Sequence, residues 1–332
     1  MKHLTYKKWA VINLSMLLIL VASICFALFI GAEKINLVSA IRGIDSRDAA
    51  ILFTSRLPRV LLAVIVGLAL SSSGGAFQAL LRNPLADPFI LGVSGGAALG
   101  SVLAIGLHLP FESISIAAFL AALLTMLLIF AIARTKGRLP SHTLLLTGVI
   151  FNAFCFALIL FINALVTREQ AYQIIFLLVG NLEATDYKTI LVVALFVITG
   201  FVTIVVLAQK MNVLVLGDEQ ASQLGINANQ LRFLIFVACS LMVGASVAVS
   251  GLIGFVGLFI PHIIRLMFGP DHRLLIPASG ILGAAFLVTS DALSRTLLIN
   301  TSYGTELPVG VITALIGAPC FVYLLKKQQK MI

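Results

Sequence analysis

Ten apolar runs divide this chain, at about 11–30, 57–81, 90–107, 114–133, 142–166, 189–208, 231–250, 252–268, 274–296 and 306–325. Nothing else in the sequence constrains its folding as strongly. A bilayer core is about 30 Å thick, which about 20 helical residues cross. Inside it every backbone polar group must be bonded within the protein, so the segments that cross are helices. The runs predict an all-α integral membrane protein of about ten transmembrane helices, forming a single transmembrane domain over 1–332. Composition agrees. Only 11% of the residues are charged and 60% are hydrophobic, against about 25% charged in soluble domains. The runs at 90–107 and 252–268 are short and rich in glycine, so broken or partly re-entrant helices are expected there.

Basic residues set the orientation. With both termini inside, the inner segments hold Lys2, Lys7, Lys8, Arg82, Arg134, Lys136, Arg138, Lys210, Arg232, Arg265, Arg273, Lys326, Lys327 and Lys330, which is 14. The outer segments hold the remaining 8. Lysine and arginine favour the cytoplasmic side, so the count predicts N-in, C-in. Lys2, Lys7 and Lys8 precede a run long enough to span, which reads as an uncleaved first helix. The net charge of +9 does not indicate nucleic-acid binding, since aromatics are not interleaved with basic clusters. Segment 31–59 remains unusually basic for an outer face and asks for a reason. Cys25, Cys155, Cys239 and Cys320 are isolated within apolar runs and read as small buried side chains, with neither a disulfide framework nor a metal site.

Catalytic signatures are missing. No glycine-rich loop ends in Gly-Lys-[Ser/Thr], so the chain does not hydrolyse ATP by that route. No His-Glu-x-x-His or nucleophile elbow occurs, which argues against an enzyme. Asp291 and Arg295 lie four apart on one helix face, either as a functional pair or as a local ion pair that lets Asp291 tolerate burial, with Arg295 then at the outer surface. Arg56 and Arg59 flank Pro58; they either anchor the helix end or meet carboxylates of a partner. Pro84 and Pro88 end or bend a helix at the inner face, and His262 beside a proline reads as structural. Gly67/Gly74 and Gly244/Gly251 share a seven-residue spacing, a hint of an inverted repeat. The longest polar break, 209–230, holds a short helix over Asp218–Leu224 between Gly217 and Gly225, or else a solvated loop.

Four stretches make the chain specific: RLPRVLLAVIVGLALSSSGGAFQALLRNPLADPFILGVSGGAALG at 56–100, LGDEQASQLGI at 216–226, SGLIGFVGLFIPHIIRLMFGPDHRLLIP at 250–277, and TSDALSRTLL followed by ELPVGVITALIGAPCFVYLL within 289–325. Together they resemble the permease subunits of the ABC importers for iron-siderophore chelates, haem and vitamin B12. The resemblance implies a subunit of the bacterial inner membrane that pairs with a second permease around a central path. It also implies two ATP-binding cassette subunits inside, which hold the ATP and magnesium, and a periplasmic or lipid-anchored substrate-binding protein outside. This chain would bind no cofactor or metal of its own.

Carried onto this sequence, the coupling segment is about 211–228, with Leu216, Gly217, Asp218, Glu219, Ala221, Leu224 and Gly225 meeting the ATPase. Arg56, Arg59 and Arg295 match the family's outer arginines, which pair with binding-protein glutamates and would account for the basic outer face. The path would be lined by the fifth and tenth spans, through Asn152, Asn163 and Thr313. The competing reading is an ion-gradient-driven secondary transporter. It needs acidic residues deep in the spans, where only Asp291 comes close.

Overall fold

The computed structural model describes residues 4–31, 33, 35–134, 139–183, 186–298 and 305–329; Lys2, Lys34, Lys136, Arg138 and Lys330 of the charge comparison lie outside them. Those residues form helices and connecting turns, with no strand among them. In chain order the helices are α1 (Tyr6–Phe29), α2 (Leu37–Ile41), α3 (Ser46–Ala50), α4 (Leu57–Leu81), α5 (Val93–Gly106), α6 (Phe111–Ala133), α7 (Ser141–Leu165), α8 (Arg168–Val179), α9 (Tyr187–Leu214), α10 (Asp218–Gln223), α11 (Ala228–Ser250), α12 (Val256–Phe268), α13 (His272–Thr296) and α14 (Val309–Gln329). Among the described residues seven stretches are long and apolar enough to cross a membrane; α5, α12 and the apolar part of α14, Val309–Leu324, are shorter.

Local chemistry fixes most of the boundaries. Side-chain oxygens of Thr5, Asp186, Asn227 and Asp271 accept the free amides at the starts of α1, α9, α11 and α13, as N-caps do. Thr167 and Gln170 close a capping box on α8. That helix lies outside the ten apolar runs, because only one of its faces is apolar. The second run starts earlier than expected. α3, a π turn over Ile51–Arg56 and α4 make one stretch, Ser46–Leu81. Pro58 has no N–H to give residue 54 and its ring crowds that carbonyl, and a widened turn relieves both.

α4 is the central strut, buried along most of its length and packed on α9, α11, α12 and α13. Glycines let it approach closely. A Cβ on Gly67 would lie 2.8 Å from the Ala284 Cα on α13, and one on Gly74 would lie 2.6 Å from the Gly257 Cα on α12, the close backbone approach that small residues permit in membranes. The seven-residue echo does not mark equivalent sites. Gly74 sits inside α4, whereas Gly251 follows α11 at φ +64 against the Leu177 carbonyl. α1 and α7 are the most exposed long helices, with Leu146, Ile150, Phe154, Phe161 and Leu165 of α7 uncovered. Cys155 and Cys239 are buried as expected; Cys25 and Cys320 are exposed on apolar helix faces instead.

Candidate functional site: the two polar ends of the bundle

Polar side chains collect at the opposite ends of α4, about 35 Å apart at 1.5 Å per residue. At one end the chain leaves α9, turns at Gly217 (φ +143) and forms α10. The helix reading of 218–224 therefore holds over Asp218–Gln223, closed by Gly225 at φ +73. Leu216 and Leu224 are 67% and 65% exposed, and Glu219 is exposed beside them. Ala221 is fully buried and seats the helix, so it presents no surface to a partner.

Asp218 has both carboxylate oxygens engaged. Arg232 of α11 donates Nη1 at 3.0 Å and Nη2 to it, and Arg82, the left-handed residue ending α4, donates Nη2. Arg82 Nε also donates to the Leu214 carbonyl at the end of α9, at 3.0 Å. One carboxylate thus joins α10 to α4 and α11.

Hydrogen bonding from Arg232, with Arg82 adding to it, holds the Asp218 carboxyl below its usual range against an opposing cost of burial. Asp87, in the turn after α4, is buried, and burial pushes its carboxyl up to about 6. The folded value of Asp218 is depressed, so its contribution is present above the unfolded value of about 3.9 and disappears as pH falls through the folded one. Hydrogen exchange of α10, corrected for intrinsic rates, is expected to stay constant from pH 8 to about 5 and to accelerate only below about 4.

At the other end Asp291, 0% exposed, receives Arg59 Nε at 2.8 Å and faces Arg295 Nε at 3.1 Å. Arg59 Nη1 donates to Glu306 at 2.7 Å, and Arg295 is only 5% exposed. Arg56 is buried too. It donates to the Leu28 carbonyl at 2.7 Å and to that of Glu33, closing the end of α1.

These placements correct the sequence reading. Arg295 is not at the surface, and Arg56 and Arg59 do not extend from it. Two arginines converge on Asp291 because a buried carboxylate needs paired charge. Part of the basic excess at this end is paired within the chain, since Arg47 also pairs with Glu33 at 2.6 Å. The Asp291–Arg295 pair is as the spacing suggested; Arg59 and Glu306, distant in sequence, complete it.

The three expected path residues do not share one open face. Thr313 is fully buried and donates to the Gly310 carbonyl at 3.0 Å, which removes it from any lining of the single chain. Asn152 is half-buried against Gly95 of α5, and Asn163 is half-buried with its Oδ1 unpartnered. His262 is buried edge-on to Phe321, in keeping with a structural role.

A junction that the apolar pattern did not announce joins the ends of α8, α11 and α14 through backbone hydrogen bonds. Leu252 N–H donates to Leu177 at 3.0 Å, Asn181 N–H to Ser250 at 2.9 Å, and Gly310 N–H to Gly180 at 3.1 Å. A cavity of about 560 Å³ opens beside it, lined by Tyr172, Gln173, Phe176, Asn181 and Glu183 among others.

Comparison with known proteins gives this arrangement a context. The FecCD transport family matches residues 18–327. The chain is 40% identical to the cobalamin import system permease protein BtuC of Halobacterium salinarum, over 86% of this chain and 76% of that one. It is 40% identical to the hemin transport system permease protein HmuU of Yersinia pestis, over 83% of each. A solved structure described as an inward-facing conformation of a metal-chelate type ABC transporter superposes with a TM-score of 0.86 at 31% identity. That match covers 95% of this chain and 99% of the other.

Proposed function

Because this chain belongs to the FecCD transport family, we propose that it is the multi-pass permease subunit of an ATP-driven importer in a bacterial inner membrane, carrying an iron chelate, haem or a corrinoid. The observation that carries the reading is α10. It is a short helix held at the end of the bundle with Leu216, Glu219 and Leu224 uncovered, which suits docking of a soluble ATP-binding subunit. In this reading α10 faces the cytoplasm, both termini lie inside, and all ten apolar helices sit within the membrane. A second permease copy packs against this one around the path.

The substrate-binding protein docks at the Asp291 end. Arg56, Arg59 and Arg295 hold that surface from beneath, while exposed groups such as Arg42, Arg47 and Glu306 meet the partner. Identity to a cobalamin permease and to a hemin permease is equal at 40%, so the cargo is specified as a bulky chelate or tetrapyrrole and no further. An ion-gradient mechanism is disfavoured, since Asp291, its best acidic site, is occupied by two guanidinium groups.

Replacing Leu216 and Leu224 with aspartate and Glu219 with lysine is expected to abolish co-purification with co-expressed ATP-binding subunits. The variant should keep the gel-filtration profile of the parent in detergent. Undiminished co-purification would remove α10 as the docking element. Uptake by the reconstituted complex should be sensitive to vanadate and insensitive to a protonophore.

A further inference from the structure

Docking and transmission fall on different residues of the same short helix. Leu216, Glu219 and Leu224 point away from the bundle. Asp218 is half-exposed, yet both its oxygens are taken by arginines of this chain. Those arginines belong to two helices, and each is committed. Arg232 is buried, with its Nε unpartnered, and meets its carboxylate only through the two-pronged fork to Asp218. Arg82 occupies a left-handed position at φ 51 and also caps α9 through Leu214. Planar two-pronged pairs of this kind hold direction as well as distance. From Arg82 the path continues along α4, whose glycine contacts with α12 and α13 leave no slack, to Arg59 and the Asp291–Glu306 cluster at the far end.

We infer that Asp218 is a positioning residue of the transport cycle. It does not serve as a contact for the ATP-binding subunit; it pins α10 to α4 and α11, so that a displacement of α10 moves both helices together. This inference rests on α10 being the docking element, and the test separates the two. The Asp218→Asn variant keeps the shape of the side chain and removes the charge that gathers both arginines.

The experiment uses the complete complex with its ATP-binding subunits and compares hydrogen exchange with and without magnesium-ATP plus vanadate. In the parent, trapping is expected to change exchange both in 216–224 and in 78–87 together with 228–235. In Asp218→Asn, co-purification and the response of 216–224 should persist, while the response of 78–87 and 228–235 should fall by about tenfold. Asp218→Glu should restore much of it. If Asp218→Asn releases the ATP-binding subunits as the Leu216/Glu219/Leu224 variant does, Asp218 is a contact and the inference is overturned. An undiminished response in 78–87 overturns it as well. If the parent itself binds no ATP-binding subunit, the docking assignment is what fails. Should the Asp218→Asn permease itself fail to fold, losing the gel-filtration profile of the parent in detergent, Arg82→Gln leaves the Arg232 pair in place and must lose the response of 78–87 alone; retention there would also overturn the inference.

Discussion

The Asp291→Ala variant is expected to lose about 3–5 kcal/mol of stability, the range for removing one partner of a buried ion cluster. Asp291 is fully buried and is approached by two arginines that are themselves buried. Among the described residues Arg59 Nη2 and Arg295 Nη2 already lack partners, and none offers a spare acceptor when the carboxylate goes. Among the described residues Glu306 is the one further acid on Arg59, and its side chain is 45% exposed. Glu306→Gln should therefore cost no more than about 1 kcal/mol.

If the loss in Asp291→Ala comes from stranded charge, then removing the charges together should recover most of it, because apolar replacement of a whole buried cluster is often neutral. The Asp291→Ala/Arg59→Met/Arg295→Leu variant is expected to melt within a few degrees of the parent. Asp291→Ala alone should melt on the order of 10 °C lower. Buried Cys155 and Cys239 give a direct readout through a thiol-reactive dye, once exposed Cys25 and Cys320 are replaced by alanine. A melt of Asp291→Ala equal to that of Glu306→Gln would show that the cluster carries no such energy. Charge reversal at Arg59 or Arg295 cannot isolate partner docking for the same reason, since it inserts a second buried acid beside Asp291.

What the sequence made legible was whatever is written within about 20 neighbouring residues. The apolar runs placed the long helices, the glycine-rich short runs marked α5 and α12, and Gly217 and Gly225 bracketed α10. Asp291 and Arg295 were readable as a pair because one helix turn relates them. Arg59 was not readable as the third member, because it is separated from Asp291 by 232 positions and meets it only when α4 packs on α13. Exposure was the weakest inference for a related reason. A residue at the end of an apolar run is as consistent with a buried ion cluster as with a docking surface, and Arg56, Arg59 and Arg295 fell on the buried side. Thr313 shows the same ambiguity inside a helix, since nothing in its neighbours distinguishes a face lining a path from a face packed within the chain. α8 escaped notice because it is only 12 residues long and its one apolar face covers the end of α5, where Gln170 donates to the Ile105 carbonyl at 2.6 Å.

The crossing of α4 and α12 should tolerate little added bulk, and Gly74→Val is expected to be strongly destabilising. Alanine in place of glycine inside a helix normally gains about 1 kcal/mol from backbone propensity. At Gly74 even the first carbon would lie 2.6 Å from the Gly257 Cα and closer still to its carbonyl oxygen. That neighbour is backbone, so it cannot rotate aside. Gly257 is itself crowded at this crossing, where a Cβ on it would lie 2.8 Å from the Leu70 carbonyl oxygen of α4 and 2.6 Å from the Pro88 ring. Overpacking of this kind costs about 1–3 kcal/mol, which makes Gly74→Ala a net loss despite its propensity. The branched carbons of valine push Gly74→Val beyond it.

Gly254 supplies the control, since a Cβ there meets nothing within 4 Å; Gly254→Ala should stay within about 0.5 kcal/mol of the parent. The same thiol-accessibility melt ranks the three variants, and Gly74→Ala matching Gly254→Ala would mean that α4 and α12 are free to separate. That outcome would also undo the rigid link between Arg82 and Arg59, because a strut that yields sideways does not carry a push from one end of the bundle to the other.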